Sequence, residues 1–161
     1  NEVYPLARYY SDKNTAYSFD RQADVILVCL GTNDIWLYDD ANRGYSLTAA
    51  DLKTSFKGML TLLREKNSDA KIVWLYGMLT SEANDIITSA VSEMGGADKG
   101  YYSLSLPYDG SGGSYHPGLS VQTTYADTIT KFIKKRPYRI FVFGNRKFQV
   151  RKLNQNDWNF R

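Results

Sequence analysis

The chain has 161 residues, 43% of them apolar and 23% charged, with a formal net charge of +3. That length suits one domain with a real core, and the composition is globular rather than disordered. No apolar run approaches a membrane span, and a single cysteine, Cys29, excludes a disulfide framework.

The elements follow in chain order. Residues 1–23 read as loop, with Pro5 and scattered Tyr, Asp and Asn. Residues 24–30 are a short apolar, β-branched run, the signature of a buried and usually parallel strand, with Cys29 inside it. Residues 35–47 are expected to be loop, with Asp39-Asp40 and Arg43-Gly44 in it. Thr48 with Asp51 three residues later resembles a capping box. The helix it opens runs to about Lys66, with Leu52, Phe56, Met59, Leu60 and Leu63 on one face.

Asn67-Ser68-Asp69 breaks the chain, and Lys71 to Tyr76 is a second apolar strand. Ser81 is expected to cap a second helix that ends near Met94, where Gly95-Gly96 stops it, with Ile86, Ile87, Ala90, Val91 and Met94 inward. A third strand spans 101–106, and a Gly-rich loop occupies 109–118. A third helix, about 120–135, turns Val121, Tyr125, Ile129, Phe132 and Ile133 inward. This β-α-β-α-β-α alternation predicts an α/β fold, a parallel sheet with helices on both faces.

After Lys135 the pattern fails, although 140–143 reads as a short strand. Residues 1–130 carry 10 Lys/Arg against 16 Asp/Glu, net −6; residues 131–161 carry 10 against one, net +9. Three readings of 136–161 stay open. They are a linker to another module, a nucleic-acid-binding tail whose aromatic residues stack bases, and coding sequence foreign to the domain.

Chemistry concentrates in two places. The first strand stops at Gly31-Thr32-Asn33-Asp34, the carboxyl end of a strand, where open α/β sheets place their ligand sites. Asn33 offers an amide NH₂, the donor a tetrahedral oxyanion needs. The only histidine, His116, lies in the Gly-rich loop and is the natural general base near neutral pH. By residue type alone, Asn33 reads as a turn or capping residue and His116 as a surface or packing residue. The pairing, in this order on one βα architecture, argues for chemistry. No Cys/His cluster exists for a metal, and no cofactor is expected.

Leu30-Gly31-Thr32-Asn33-Asp34 resembles the Gly-x-Asn-Asp block of the SGNH (GDSL-type) esterase superfamily, and His116-Pro117 before a helix resembles the block with its catalytic histidine. Tyr4 to Tyr10 with Tyr17-Ser18-Phe19-Asp20, Trp74-Leu75-Tyr76-Gly77-Met78 and His116-Pro117-Gly118 are most similar to carbohydrate esterase family 2. The resemblance covers roughly residues 1–135. It implies a three-layer α/β/α, flavodoxin-like sheet and hydrolysis of small O-acyl esters, above all acetyl groups on polysaccharide. It also implies a secreted or cell-surface enzyme with no nucleic-acid partner. His116 would be the base and Asn33 the oxyanion donor. Gly31 and Asp34 would support the turn, and Trp36 would line the acyl or sugar site or else simply pack.

Two blocks of that family are missing. No strand-Gly-x-Ser turn precedes Gly31, and Ser11 and Ser18 lie in polar, tyrosine-rich sequence. The chain opens on Asn1 with no signal peptide, so the expectation is the C-terminal part of a longer enzyme, inactive without its N-terminal segment. The family's usual Asp positions before the histidine hold Gly113 and Ser114 here. That implies a Ser-His dyad, with the imidazole oriented by a backbone carbonyl or by a distant group such as Asp109. Two rivals remain: a non-catalytic carbohydrate-binding module on the same fold, and a basic-tailed nucleic-acid binder.

Overall fold

A computed structural model describes residues 6–8, 12–20, 22–36, 47–135, 139–142 and 149–152. Ser11, Asp39-Asp40, Arg43-Gly44 and most of the basic tail lie outside them. The chain forms two compact units, residues 1–118 and 119–161.

The first unit is built on a three-stranded parallel sheet in the order β3-β4-β5, formed by β3 (Val25–Val28), β4 (Lys71–Tyr76) and β5 (Tyr101–Ser105). Val25 pairs with Lys71 and Val28 with Trp74; Ile72 pairs with Tyr101 and Tyr76 with Ser105. Parallel strands require long crossovers. Two helices make them: α2 (Ala49–Lys66) from β3 to β4, and α3 (Asn84–Glu93) from β4 to β5.

The apolar stripes fall as the helical period requires. Leu52, Phe56, Leu60 and Leu63 of α2 and Ile87, Ala90 and Val91 of α3 join Ile72, Trp74 and Tyr76 of β4 in one buried cluster. Alternate residues of a strand face opposite sides, so Val73 and Leu75 turn to the other face, where they are buried as well. Thr48 caps α2 through its side chain, and Asp51 returns the bond to the Thr48 backbone, completing the expected capping box. On the surface Glu93 joins α3 to α2 through Lys53 (2.7 Å) and Lys57 (2.9 Å); hydrogen bonds from Lys53 and then Lys57 hold its carboxyl down to about 2.

Five sequence expectations are corrected. The first 23 residues are not all loop: β1 (Leu6–Arg8) and β2 (Asp12–Ala16) form an antiparallel hairpin. Its second strand, Asp-Lys-Asn-Thr-Ala, has only Thr15 among the residue types that favour strands, so backbone pairing rather than side-chain pattern forms it. Strand β3 ends at Val28, leaving Cys29 past its end and exposed. The same strand is not buried on both faces: Leu27 is 45% exposed, because β3 is the edge of the described sheet. Residues 35–36 are helical, closing the short α1 (Thr32–Trp36). Helix α3 starts at Asn84 rather than after Ser81; Ser81 supplies its carbonyl to the Asn84 N–H (3.0 Å), not a hydroxyl cap.

The second unit holds α4 (Leu119–Lys134), with Tyr125 buried, and an antiparallel hairpin of β6 (Arg139–Val142) and β7 (Gln149–Lys152). The hairpin adds an ordered pairing to a stretch that the sequence pattern left without one.

Gly77 ends β4 at φ +110°, and a Cβ there would overlap the carbonyl oxygen of Leu106. Its neighbour Tyr76 accepts the Leu106 N–H at 2.7 Å, so the two segments cannot separate to make room. Gly77→Ala is expected to cost at least about 2 kcal/mol, read as a lower urea midpoint; an unchanged midpoint would contradict this close approach.

Candidate active site

Because β3, β4 and β5 are parallel, their carboxyl ends lie at one edge of the sheet. Strands β3 and β5 both neighbour β4, so their ends are about 10 Å apart at ordinary strand spacing. The Gly31 turn leaves β3 there, and the His116 loop follows β5.

The Gly31 turn is held from beneath. Gly31 has φ +113°, and its α-carbon packs over Phe56 and Tyr76 so closely that a Cβ would stand 3.3 Å and 3.4 Å from their rings. One residue earlier, the buried Trp74 indole donates to the Leu30 carbonyl at 3.0 Å. The Gly31 carbonyl then accepts the Ile35 N–H at 3.0 Å and starts α1. Asn33 and Asp34 occupy the first turn of that helix and are exposed. A carboxylate such as Asp34 in a helical first turn is electrostatically favourable. Trp36 closes α1, and its side chain lies outside the described residues.

His116 is exposed at the end of a single helical turn, residues 113–115. Its Nδ1 lies 2.9 Å from the Ser114 carbonyl oxygen. A carbonyl only accepts, so Nδ1 is the donor; in the neutral ring that is the Nδ1–H tautomer, which leaves the Nε2 lone pair free. The orienting group is thus a backbone carbonyl. Asp109 does something else: its Oδ1 accepts from the Ser111 N–H (3.0 Å), the Ser111 hydroxyl (2.6 Å) and the Gly118 N–H (3.1 Å). The Ser111 hydroxyl first, then the Gly118 and Ser111 N–H groups, hold its carboxyl below the usual carboxylate range.

Sequence reasoning missed three contributors. Trp74 and Tyr76 read as strand core and as part of a block similar to carbohydrate esterase family 2, with no role at the site, and nothing in an apolar run announces that an indole N–H will hold the Leu30 carbonyl beyond the neighbouring strand. Tyr115, beside His116, was one tyrosine among thirteen. It has φ +61° and is 79% exposed, with Tyr108 at 58% on the same loop. Among the described residues, no group of three or more His, Cys, Asp or Glu is placed to hold a metal ion.

Tyr76 carries a further anomaly. Its hydroxyl is buried with no hydrogen-bond partner among the described residues. Burial pushes its pKa up, and so do the carboxylates of Glu82 and, less strongly, Asp34; the Ala83 N–H opposes them without completing a hydrogen bond. An unmade bond of this kind is a liability. Tyr76→Phe should therefore leave stability unchanged or raise it by up to about 1 kcal/mol in urea unfolding. A comparable loss would reveal a partner for the hydroxyl.

No protein-family model matches the chain, and no curated protein matches it. Solved structures do. An acetyl xylan esterase from the rumen bacterium Butyrivibrio proteoclasticus aligns at TM-score 0.62 and 26% identity, over 75% of this chain and 39% of that one. A family two carbohydrate esterase from Clostridium thermocellum in complex with cellohexaose aligns at TM-score 0.69 and 23% identity, over 83% and 42%. A family 2 enzyme with a carbohydrate-binding domain, from Corynascus thermopiles, aligns at 0.65 and 21%, over 83% and 44%. The chain spans less than half the length of each of these structures. Its structural neighbours include carbohydrate esterases of family 2.

Proposed function

We propose that the chain is the base-and-oxyanion part of an SGNH-type carbohydrate esterase that removes acetyl groups from polysaccharide. The observation that carries this reading is the edge shared by the Gly31–Asp34 turn and the His116 loop, on strands that flank β4 in one parallel ladder. Similarity to the acetyl xylan esterase supports the reaction class, and a relative that holds cellohexaose supports a sugar polymer as substrate. The family's three-layer α/β/α arrangement and a secreted or cell-surface location come with the same reading.

The nucleophilic serine is supplied by residues outside this sequence. It attacks the acyl carbon while His116 Nε2 takes its proton and later returns it to the leaving sugar oxygen. Nδ1–H stays on the Ser114 carbonyl, which keeps Nε2 free for that task. The Asn33 amide donates to the oxyanion, with Gly31 and Asp34 fixing the turn. Tyr108 and Tyr115 offer exposed faces beside the base, and such rings stack on sugars. The edge of β3 that is open among the described residues, with Leu27 and Leu30 roughly half exposed, is where the serine-bearing strand pairs.

Turnover of p-nitrophenyl acetate tests this reading. The 161-residue chain alone should stay at background, and a protein that joins it to its upstream half should be active. In that joined protein His116→Ala should remove most of the rate, and Asn33→Ala should lower kcat about a hundredfold to a thousandfold. Burst kinetics from the chain alone that survive His116→Ala would place the chemistry elsewhere. A joined protein that binds acetylated xylan without hydrolysing any ester would make this a binding module, the reading that the exposed tyrosines would then favour.

A further inference from the structure

We infer that Asp109 is a positioning residue: its carboxylate clamps the loop 109–118 shut and thereby holds the His116 imidazole in the tautomer that leaves Nε2 free. The inference rests on the reading of His116 as the base, and it concerns a residue that never touches substrate.

The loop is fixed at its start by the Asp109 N–H on the Met78 carbonyl, at 3.2 Å, just beyond β4. From there one carboxylate oxygen gathers three donors. Two belong to Ser111, and the third, the Gly118 N–H, is nine residues away at the loop's far end. That last bond closes a ring of chain around His116. Inside the ring the Gly112 N–H donates to the His116 carbonyl (2.8 Å) and the His116 N–H to the Gly113 carbonyl (3.2 Å).

The closure has strain to hold. Ser114 and Tyr115 have φ of +54° and +61°, a left-handed conformation that residues with a Cβ avoid. Two such residues in succession persist only where the surroundings over-determine them. This turn is what carries the Ser114 carbonyl back to Nδ1. Without the bond from Asp109 to Gly118, the pair can relax to ordinary backbone, and the carbonyl leaves the ring nitrogen. Asp109 therefore acts on the base through the backbone, in a sequence whose usual acid positions are Gly113 and Ser114.

His116 is the only histidine, so the imidazole nitrogens give one set of ¹⁵N signals in the intact chain. In the neutral ring the Nδ1–H tautomer should predominate in the wild type. Asp109→Ala should drop it to the ratio of a short peptide spanning His116, while Asp109→Asn, which keeps an acceptor oxygen, should retain most of it. A wild-type ratio in Asp109→Ala, or the same collapse in Asp109→Asn, would overturn the clamp. If Asp109→Ala fails to fold, Ser111→Ala removes one of the three donors in a folded chain. It should move the ratio part-way, and no movement would overturn the clamp. The measurement needs no substrate, so loss of the clamp and loss of the esterase reading are separable results.

Discussion

The constraint on which the site depends is the parallel pairing of β3, β4 and β5. A hairpin can join antiparallel neighbours and would alternate their ends. Parallel neighbours need crossovers, which α2 and α3 supply, and every carboxyl end then emerges at the same edge. Two motifs more than 80 residues apart in the chain, Gly31–Asp34 and His116, reach one edge for that reason. The ladder register, Val28 on Trp74 and Tyr76 on Ser105, sets the spacing of the strand ends from which the two segments leave.

Along that edge the supports are buried, and the candidate side chains Asn33 and His116 are exposed. Trp74, Tyr76 and Phe56 lie within the core, and from there they hold the Leu30 carbonyl and the underside of Gly31. Phe56 and Trp74 themselves pack ring against ring, 4.9 Å between centroids. At the opposite end of the sheet Asn67 is buried with both side-chain polar atoms paired, accepting the Ala23 N–H and donating to the Leu63 carbonyl, so the entry to β3 is fixed as well. A site whose geometry must hold to fractions of an ångström is best built this way, on strand ends anchored by packed rings.

Much of this was readable in the residues. Strand β4 is a continuous apolar run and has the expected ends, Lys71 and Tyr76. The face of α2 and its Thr48–Asp51 box followed from spacing, since both are local. What was not readable depended on distant partners. The β1–β2 hairpin has no side-chain period to betray it, and α3 starts where a backbone turn allows, not where a serine stands. The exposure of Leu27 reflects its place at a sheet edge, which no local pattern encodes. The motif residues Asn33 and His116 stood out by type and order, whereas Tyr115 became visible only through its backbone and exposure.

The central claim is that Asn33 and His116 serve one reacting centre. The most direct test is a crystal structure of the chain joined to its upstream half and inactivated with a p-nitrophenyl phosphonate, whose adduct mimics the tetrahedral intermediate. The account predicts a phosphonyl group on a serine from the upstream half, its oxygen within hydrogen-bond distance of the Asn33 amide and the serine oxygen beside His116 Nε2. An adduct on any other residue, or one that Asn33 and His116 both fail to reach, would contradict it.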